Sequence, residues 1–256
     1  MRTLFRFVLG RVQAFQRRRR ISRLRLRWEE SQGRLPLSPS PTPTLRDDVF
    51  AGVKIVVINL DSRGDRLESV TAQLTSVGIT EWTRISAVDG TSVFPDLDPF
   101  FAGSAGCSLS HIQALEQGSF GAPEAVMVCE DDLEFIGSRE QLSACVEEFL
   151  TSPNLDVLCI AVRARGGSHH VSKKLRVILG GVGGGCYLVK PHMVTRLLDA
   201  YQAGMPKLMA GDRAGKGDRM WHPLQQKGSF FAAPIGQLAR QGPGFSDIEG
   251  RDLGPR

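Results

Sequence analysis

Apolar residues fall along this chain in three rhythms. From Met1 to Phe15 they recur at helical spacing, with Leu4, Phe5, Val8, Leu9 and Val12 set between Arg2, Arg6 and Arg11. From Leu35 to Thr44 the pattern is lost, and LPLSPSPTPT alternates proline with Ser and Thr. Such a segment lacks every second amide hydrogen, so it reads as an extended linker. From Val53 the run VKIVVINL is continuous and β-branched, the mark of a strand buried on both faces of a parallel sheet. These rhythms divide the chain into an arm with linker, residues 1–47, and a folded body, residues 48–256.

The body then alternates. A turn at Asp61 to Asp65 leads to a helix over Arg66 to Val77, with Leu67, Val70, Leu74 and Val77 on one face and Gly78 as its stop. Strands are expected at Trp82–Val88, Glu124–Cys129, Leu155–Val162, Lys174–Leu179 and Cys186–Lys190. Helices are expected at Cys107–Gln117, at Ser138–Leu150 with Ser138 as N-cap, and at Pro191–Ala203 with proline at the first helical position. A loop is expected up to Ser104. The glycine run Gly180 to Gly185 reads as a turn passing near a cleft, and Met209 to Met220 reads as a glycine-broken loop able to act as a lid. Strands alternating with helices imply an α/β class with a mostly parallel, Rossmann-type sheet flanked by helices. Ligands of such sheets bind at the carboxyl ends of strands.

Charge sharpens the division. The chain of 256 residues carries a net +5, but residues 1–46 hold twelve Arg, no Lys and two acids, about +10, leaving about −5 on the rest. A basic amphipathic arm suits an anionic membrane surface, where each Arg contributes ~1 kcal/mol. We expect residues 1–27 to make such a peripheral contact at the inner face of the cytoplasmic membrane. A plain extension is the blander alternative. Nucleic acid is not the expected partner, because the body is not basic. The apolar run is interrupted at Arg6 and Arg11, which disfavours a secretory signal. Five cysteines without a CxxC pair read as reduced, mostly buried thiols of a cytoplasmic protein.

Chemistry concentrates where Val126-Met127-Val128-Cys129 runs into Glu130-Asp131-Asp132. Adjacent carboxylates repel at ~4 kcal/mol per pair at about 4 Å for an effective dielectric near 20. A cation offsets this, and hard divalent ions take carboxylate oxygens together with substrate phosphates. The cluster suits Mn²⁺ or Mg²⁺ bridging a nucleotide diphosphate; a solvated acidic turn is the alternative. The exit of the first strand, Asn59 to Arg66, offers Arg63 and Arg66 to phosphate beside a helix N-terminus. Gly103 to His111 supplies small residues for close backbone approach, with Ser110 and His111 one turn inside a helix. A lone histidine is more often a structural hydrogen-bonder than a base. Cys107 and His111 lie one turn apart, but no acid neighbours them in sequence, which disfavours a cysteine nucleophile.

Five stretches, IVVINLDSRGDRLESVTAQL (55–74), ISAVDG (85–90), GSAGCSLSHIQAL (103–115), AVMVCEDDLEF (125–135) and CYLVKP (186–191), together resemble glycosyltransferase family 25. That family includes bacterial lipooligosaccharide galactosyltransferases and collagen galactosyltransferase domains. A weaker match is a late aspartate, here Asp218, followed by PIGQLARQGPGFSDI (234–248). The likeness runs in order over about residues 50–250. It departs from the family in its long basic extension and in a short region between the third strand and the tail.

The resemblance implies a GT-A-like fold and an inverting transfer of a hexose, galactose first, from a UDP-sugar to a hydroxyl of a glycan or lipid-linked glycan acceptor. It implies Mn²⁺, or Mg²⁺, held through Asp132 with Glu130 or Asp131. Asp218 is the expected base from its late place in the loop, and His111 is the second catalytic candidate. Asn59, Arg63, Arg66, Asp89, Gly90, Ser110, Glu130 and Asp131 are the expected substrate-binding residues. Two other classes compete: a membrane-associated sugar-binding or scaffold protein that keeps the fold without activity, and a metal-dependent nucleotidyltransferase.

Overall fold

The computed structural model describes residues 2–33, 48–164 and 166–255. The linker read at Leu35 to Thr44 lies outside the described residues. In chain order the elements are α1 (Arg2–Gly33), β1 (Val53–Asn59), α2 (Gly64–Ser76), β2 (Thr83–Ser86), a short α3 (Gly90–Val93), α4 (Pro99–Gly118), β3 (Ala125–Glu130), β4 (Leu133–Phe135) and α5 (Arg139–Thr151). There follow β5 (Val157–Ala164), β6 (Ser168–His170), β7 (Leu175–Ile178), β8 (Gly181–Val189), α6 (Pro191–Met209), two 3-10 turns, α7 (His222–Lys227), β9 (Phe231–Pro234), β10 (Ala239–Gln241), β11 (Gly244–Ser246) and β12 (Arg251–Leu253).

Eight strands form one sheet in the order β2-β1-β3-β8-β5-β9-β7-β6. β1 runs parallel to both β2 and β3, and β5 runs parallel to β9. β8 lies antiparallel between β3 and β5, and β7 is antiparallel to β9 and β6. Six of the eight strands therefore point one way, and the sheet is largely parallel as expected. Two small ladders, β10 with β4 and β11 with β12, lie beside it.

The unbroken apolar runs are explained by two cores. Ile55, Val57, Met127 and Leu158 face one side of the sheet with Val70, Leu74, Leu142 and Phe149. Val56, Ile58, Val128 and Val157 face the other with Leu115, Met193, Leu197 and Trp221. Successive residues of a strand alternate faces, so a strand covered on both sides must be apolar throughout. Each fully buried aliphatic side chain contributes about 1.5–3 kcal/mol.

Three sequence expectations change. First, α4 begins at Pro99, not Cys107, so Gly103 to Gly106 lie inside the helix. Asp98 caps it, accepting from the Phe100 amide at 3.0 Å, and Pro99 opens it. Second, the glycines from Gly181 to Gly185 belong to strand β8 rather than to a turn. Third, the segment read as a loop at Met209 to Met220 finishes α6 and then forms the two 3-10 turns, with Gly215, Met220 and Trp221 buried.

The arm is a single helix whose C-terminal turns join the body. Leu24 is buried, and the Trp28 ring meets Phe230 edge-on at 5.2 Å. Arg27 donates to the Gln226 carbonyl at 3.0 Å. Arg17 to Arg20, Arg23 and Arg25 are exposed. Among the described residues no helix is long and apolar enough to cross a membrane.

Candidate functional site

A cleft of about 480 Å³ opens at the carboxyl ends of β1, β2 and β3. That size lies within the range of small-ligand sites. Its floor is Glu130, Asp131 and Asp132, and its walls come from α4, the second 3-10 turn and the C-terminal segment Gly242 to Leu253.

The three acids are not equivalent. Asp131, 8% exposed, is fully engaged: Asn59 Nδ2 donates to Oδ2 at 2.8 Å and Arg66 donates to Oδ1 at 3.1 Å. Burial raises its pKa, against the opposing pull of Asn59 and Arg66. Glu130 is held from both sides. Its Oε1 lies 3.1 Å from His111 Nε2, and its Oε2 accepts from Gln241 Nε2 at 2.9 Å. Burial alone would raise its pKa; the His111 contact and the Gln241 bond hold it below the usual carboxylate value. Asp132 is the unsatisfied member. Its Oδ2 receives a long 3.5 Å bond from Gln241, and its Oδ1 is buried without a partner. Burial first, then the neighbouring Glu130 charge, pushes its pKa up to about 7. A buried carboxylate oxygen with no donor is costly unless a cation or proton meets it.

The opposite wall depends on a close backbone approach. A Cβ on Gly90 would stand 1.9 Å from the Ala102 carbonyl oxygen, and one on Gly106 would stand 2.5 Å from that of Val88. These glycines let the turn at residues 88–90 lie directly on α4. Ser110 Oγ pins the turn, accepting from the Val88 amide at 2.8 Å and donating to the Gly106 carbonyl at 2.8 Å. Asp89 caps α3 through Thr91 and Ser92, which lowers its pKa.

His111 is buried in an aromatic bracket. Its Nδ1 lies 3.2 Å from the Tyr187 hydroxyl, and its ring stacks on Tyr201 at 5.3 Å and 6°. Cys107, one turn earlier on α4, lines the cleft as well.

No protein-family model matches this chain, and no curated protein does. Solved structures give distant likenesses. One is mannose-1-phosphate geranyltransferase from Thermus thermophilus, at 13% identity and TM-score 0.40, over 77% of this chain and 76% of that one. Another is a glycosyltransferase involved in glycosylation of the major capsid of PBCV-1, at 11% and 0.36, over 72% and 93%. A third is mouse xyloside xylosyltransferase 1, at 14% and 0.37, over 70% and 71%.

Of the residues singled out in the sequence, Arg66, Asp89, Gly90, Ser110, His111, Glu130, Asp131, Asp132 and Asp218 line this one cleft. Asn59 and Arg63 do not. Asn59 is a buried hub that donates to Asp131 and to the Arg63 carbonyl and accepts from Arg84. Arg63 forks onto Asp65 and reaches Asp247 at 2.8 Å, so it fastens the C-terminal segment beside the cleft. Arg66 also donates to the Phe245 carbonyl.

The acid missing beside Cys107 and His111 in sequence is supplied in space by Glu130. Sequence reasoning also missed Gln241, which joins Glu130 to Asp132, and Tyr187, which orients His111. The signal for Gln241 is only its place in the late LARQG stretch. That for Tyr187 is a polar hydroxyl inside the otherwise apolar run CYLV.

Proposed function

We propose that this protein is a metal-dependent, inverting glycosyltransferase related to family 25. It would move a hexose, galactose first among candidates, from a UDP-sugar to a hydroxyl of a glycan or lipid-linked glycan. The observation that carries this reading is the unpartnered Asp132 oxygen, buried in a cleft at the strand ends beside Glu130 and Arg66. Its unmet demand for positive charge fits a divalent ion, Mn²⁺ or Mg²⁺, with Asp132 and Glu130 as the holding residues. When bound, such an ion neutralises charge growing on a departing diphosphate.

The chain's own residues do the remaining work. Arg66 sits at the cleft edge, where its guanidinium faces the acids and can share its donors with phosphate oxygens. The turn at residues 88–90, fixed by Ser110, sets the wall on the α4 side. His111, with both nitrogens engaged, holds Glu130 in place. Asp218 lines the same cleft and is the proposed acceptor of the proton from the attacking hydroxyl. In-line displacement needs that base on the face away from the leaving group. The C-terminal segment closes the cleft, tied down by Arg63 and Arg66, and limits water access to the donor.

Calorimetry with UDP-galactose and UDP-glucose, with and without Mn²⁺, tests the reading. Metal-strengthened binding is expected, and Asp132→Ala should abolish it while leaving the far-ultraviolet circular dichroism unchanged. Absence of any metal-dependent binding would remove the reading. The exposed Arg17 to Arg20, Arg23 and Arg25 support a peripheral contact of the arm with anionic lipid, which would bring the cleft to lipid-linked acceptors.

A further inference from the structure

We propose that Cys107, His111 and Glu130 form a second metal position, for a borderline-soft divalent ion of the zinc class, on the far side of Glu130 from Asp132. Each of the three offers one donor atom, and these atoms lie within 4.8 Å of one another. A tetrahedral zinc site with ligand bonds of ~2.0–2.3 Å has donor-to-donor edges of roughly 3.3–3.6 Å. The His111 Nε2 to Glu130 Oε1 separation is already 3.1 Å. Closure to zinc geometry therefore needs the thiol to draw in by up to about 1.5 Å, within reach of a side-chain rotation at Cys107.

Glu130 separates the two positions by its own geometry. Oε1 faces His111, while Oε2 faces the Gln241 amide that also reaches Asp132. One carboxylate shared between two ions is the arrangement of two-metal sites. The donor chemistry differs on the two sides. Asp132 offers hard oxygen alone, whereas Cys107 and His111 offer sulfur and imidazole nitrogen, which select zinc, cobalt or ferrous ions over magnesium.

The supporting shell is built. His111 Nδ1 lies 3.2 Å from the Tyr187 hydroxyl, which holds the ring with Nε2 toward Glu130, where an ion would take the place of the direct Nε2 to Oε1 contact. Tyr201 stacks on the ring. A Cβ at position 184 would stand 3.4 Å from Nε2 and 3.5 Å from Oε1, so Gly184 keeps open the space that both donors face. Charge also closes. Burial and Glu130 raise the Cys107 pKa, so the free side chain is a thiol. Taking up the ion releases that proton to solvent. Thiolate and carboxylate then balance the two positive charges, with imidazole neutral and a fourth position open to the cleft.

The position exists independently of the transferase reading; only its use in sugar transfer rests on it. The test is titration of metal-free full-length protein with Co²⁺, read by absorption. A sulfur-to-cobalt charge-transfer band in the near ultraviolet is expected, saturating at one ion per chain and displaced by Zn²⁺. C107S should lose the band with unchanged thermal unfolding, H111Q should lose the intensity of four-coordinate cobalt, and D132N should keep both. No band in the wild type, or a band unchanged in C107S, overturns the proposal. A band lost in D132N as fully as in C107S overturns the separation of the two positions. Mn²⁺-dependent UDP-galactose binding is followed in parallel: its loss without loss of the cobalt band sinks the transferase reading alone, and the reverse sinks the second metal alone.

Discussion

Asp132→Asn separates the chemical use of Asp132 from its cost to the fold. In the metal-free protein the carboxyl gives up its proton at about 7, against a reference of 3.8, because it is buried beside the Glu130 charge. Between those limits the folded chain binds a proton that the unfolded chain lacks. Stability is therefore fully present below the unfolded value and falls as pH rises through about 7. At 1.36 kcal/mol per decade the loss is about 4 kcal/mol, a large part of the ~5–15 kcal/mol that holds a typical domain. The asparagine side chain has the same shape and no charge, so this loss should disappear. The assay is urea unfolding in chelator at about pH 4.5, 6 and 8. The wild type should lose several kcal/mol across this range relative to D132N, and the two proteins should converge at the acid end. Mn²⁺ at about pH 8 should restore the wild-type midpoint and leave that of D132N in place. Curves that stay parallel at every pH would refute the reasoning, because Asp132 would then carry no buried charge for a cation to offset.

Three further outcomes follow from the geometry. Ser110→Ala removes the acceptor of the Val88 amide and should cost about 1–2 kcal/mol in urea unfolding, with a raised KM for the donor and a smaller change in kcat. Removing residues 2–20 should weaken binding to anionic vesicles in a salt-dependent way without moving the thermal midpoint. Extending the deletion through residue 27 should lower the midpoint, because it takes out buried Leu24. Ser138→Ala breaks the capping box with Gln141 and should cost about 1 kcal/mol with cobalt and nucleotide binding unchanged, as measured by unfolding and titration in parallel.

What could be read in advance follows from how far each cause reaches along the chain. β1 and β3 show in the sequence because burial on both faces leaves their centres apolar, with the polar residues Lys54, Asn59 and Glu130 near the ends. The acidic run shows because three carboxylates at the end of such a strand need an external reason. The start of α4 is obscured because Gly103 to Gly106 have the composition of a loop. They are helical because the turn at residues 88–90 rests directly on them, and Gly90 and Gly106 leave room for it. The glycines of β8 mislead for a related reason. In place of side chains they receive those of other elements, His111 and Glu130 against Gly184 and Gln241 against Gly185. These close approaches are not local, so no window of sequence contains them, whereas the cap of α4, Asp98 followed by Pro99, is local and legible.

The same limit conceals the partner of His111. Cys107 and His111 face the cleft together because four residues complete a helical turn, and that spacing is visible in the sequence. Their acid is not visible there. Glu130 stands nineteen positions beyond His111, on a strand that the fold sets beside α4. Gln241, which holds the other oxygen of Glu130, comes a further 111 positions on, from a three-residue strand paired with β4. The tertiary structure turns a cysteine and a histidine with no acid beside them into a three-donor cluster, and it gives one glutamate two faces of different chemistry. Glu130 alone of the three acids faces both ways, through Oε2 toward the Gln241 amide that also reaches Asp132 and through Oε1 toward His111 on α4. The cobalt and nucleotide titrations of C107S and D132N address the two faces one at a time.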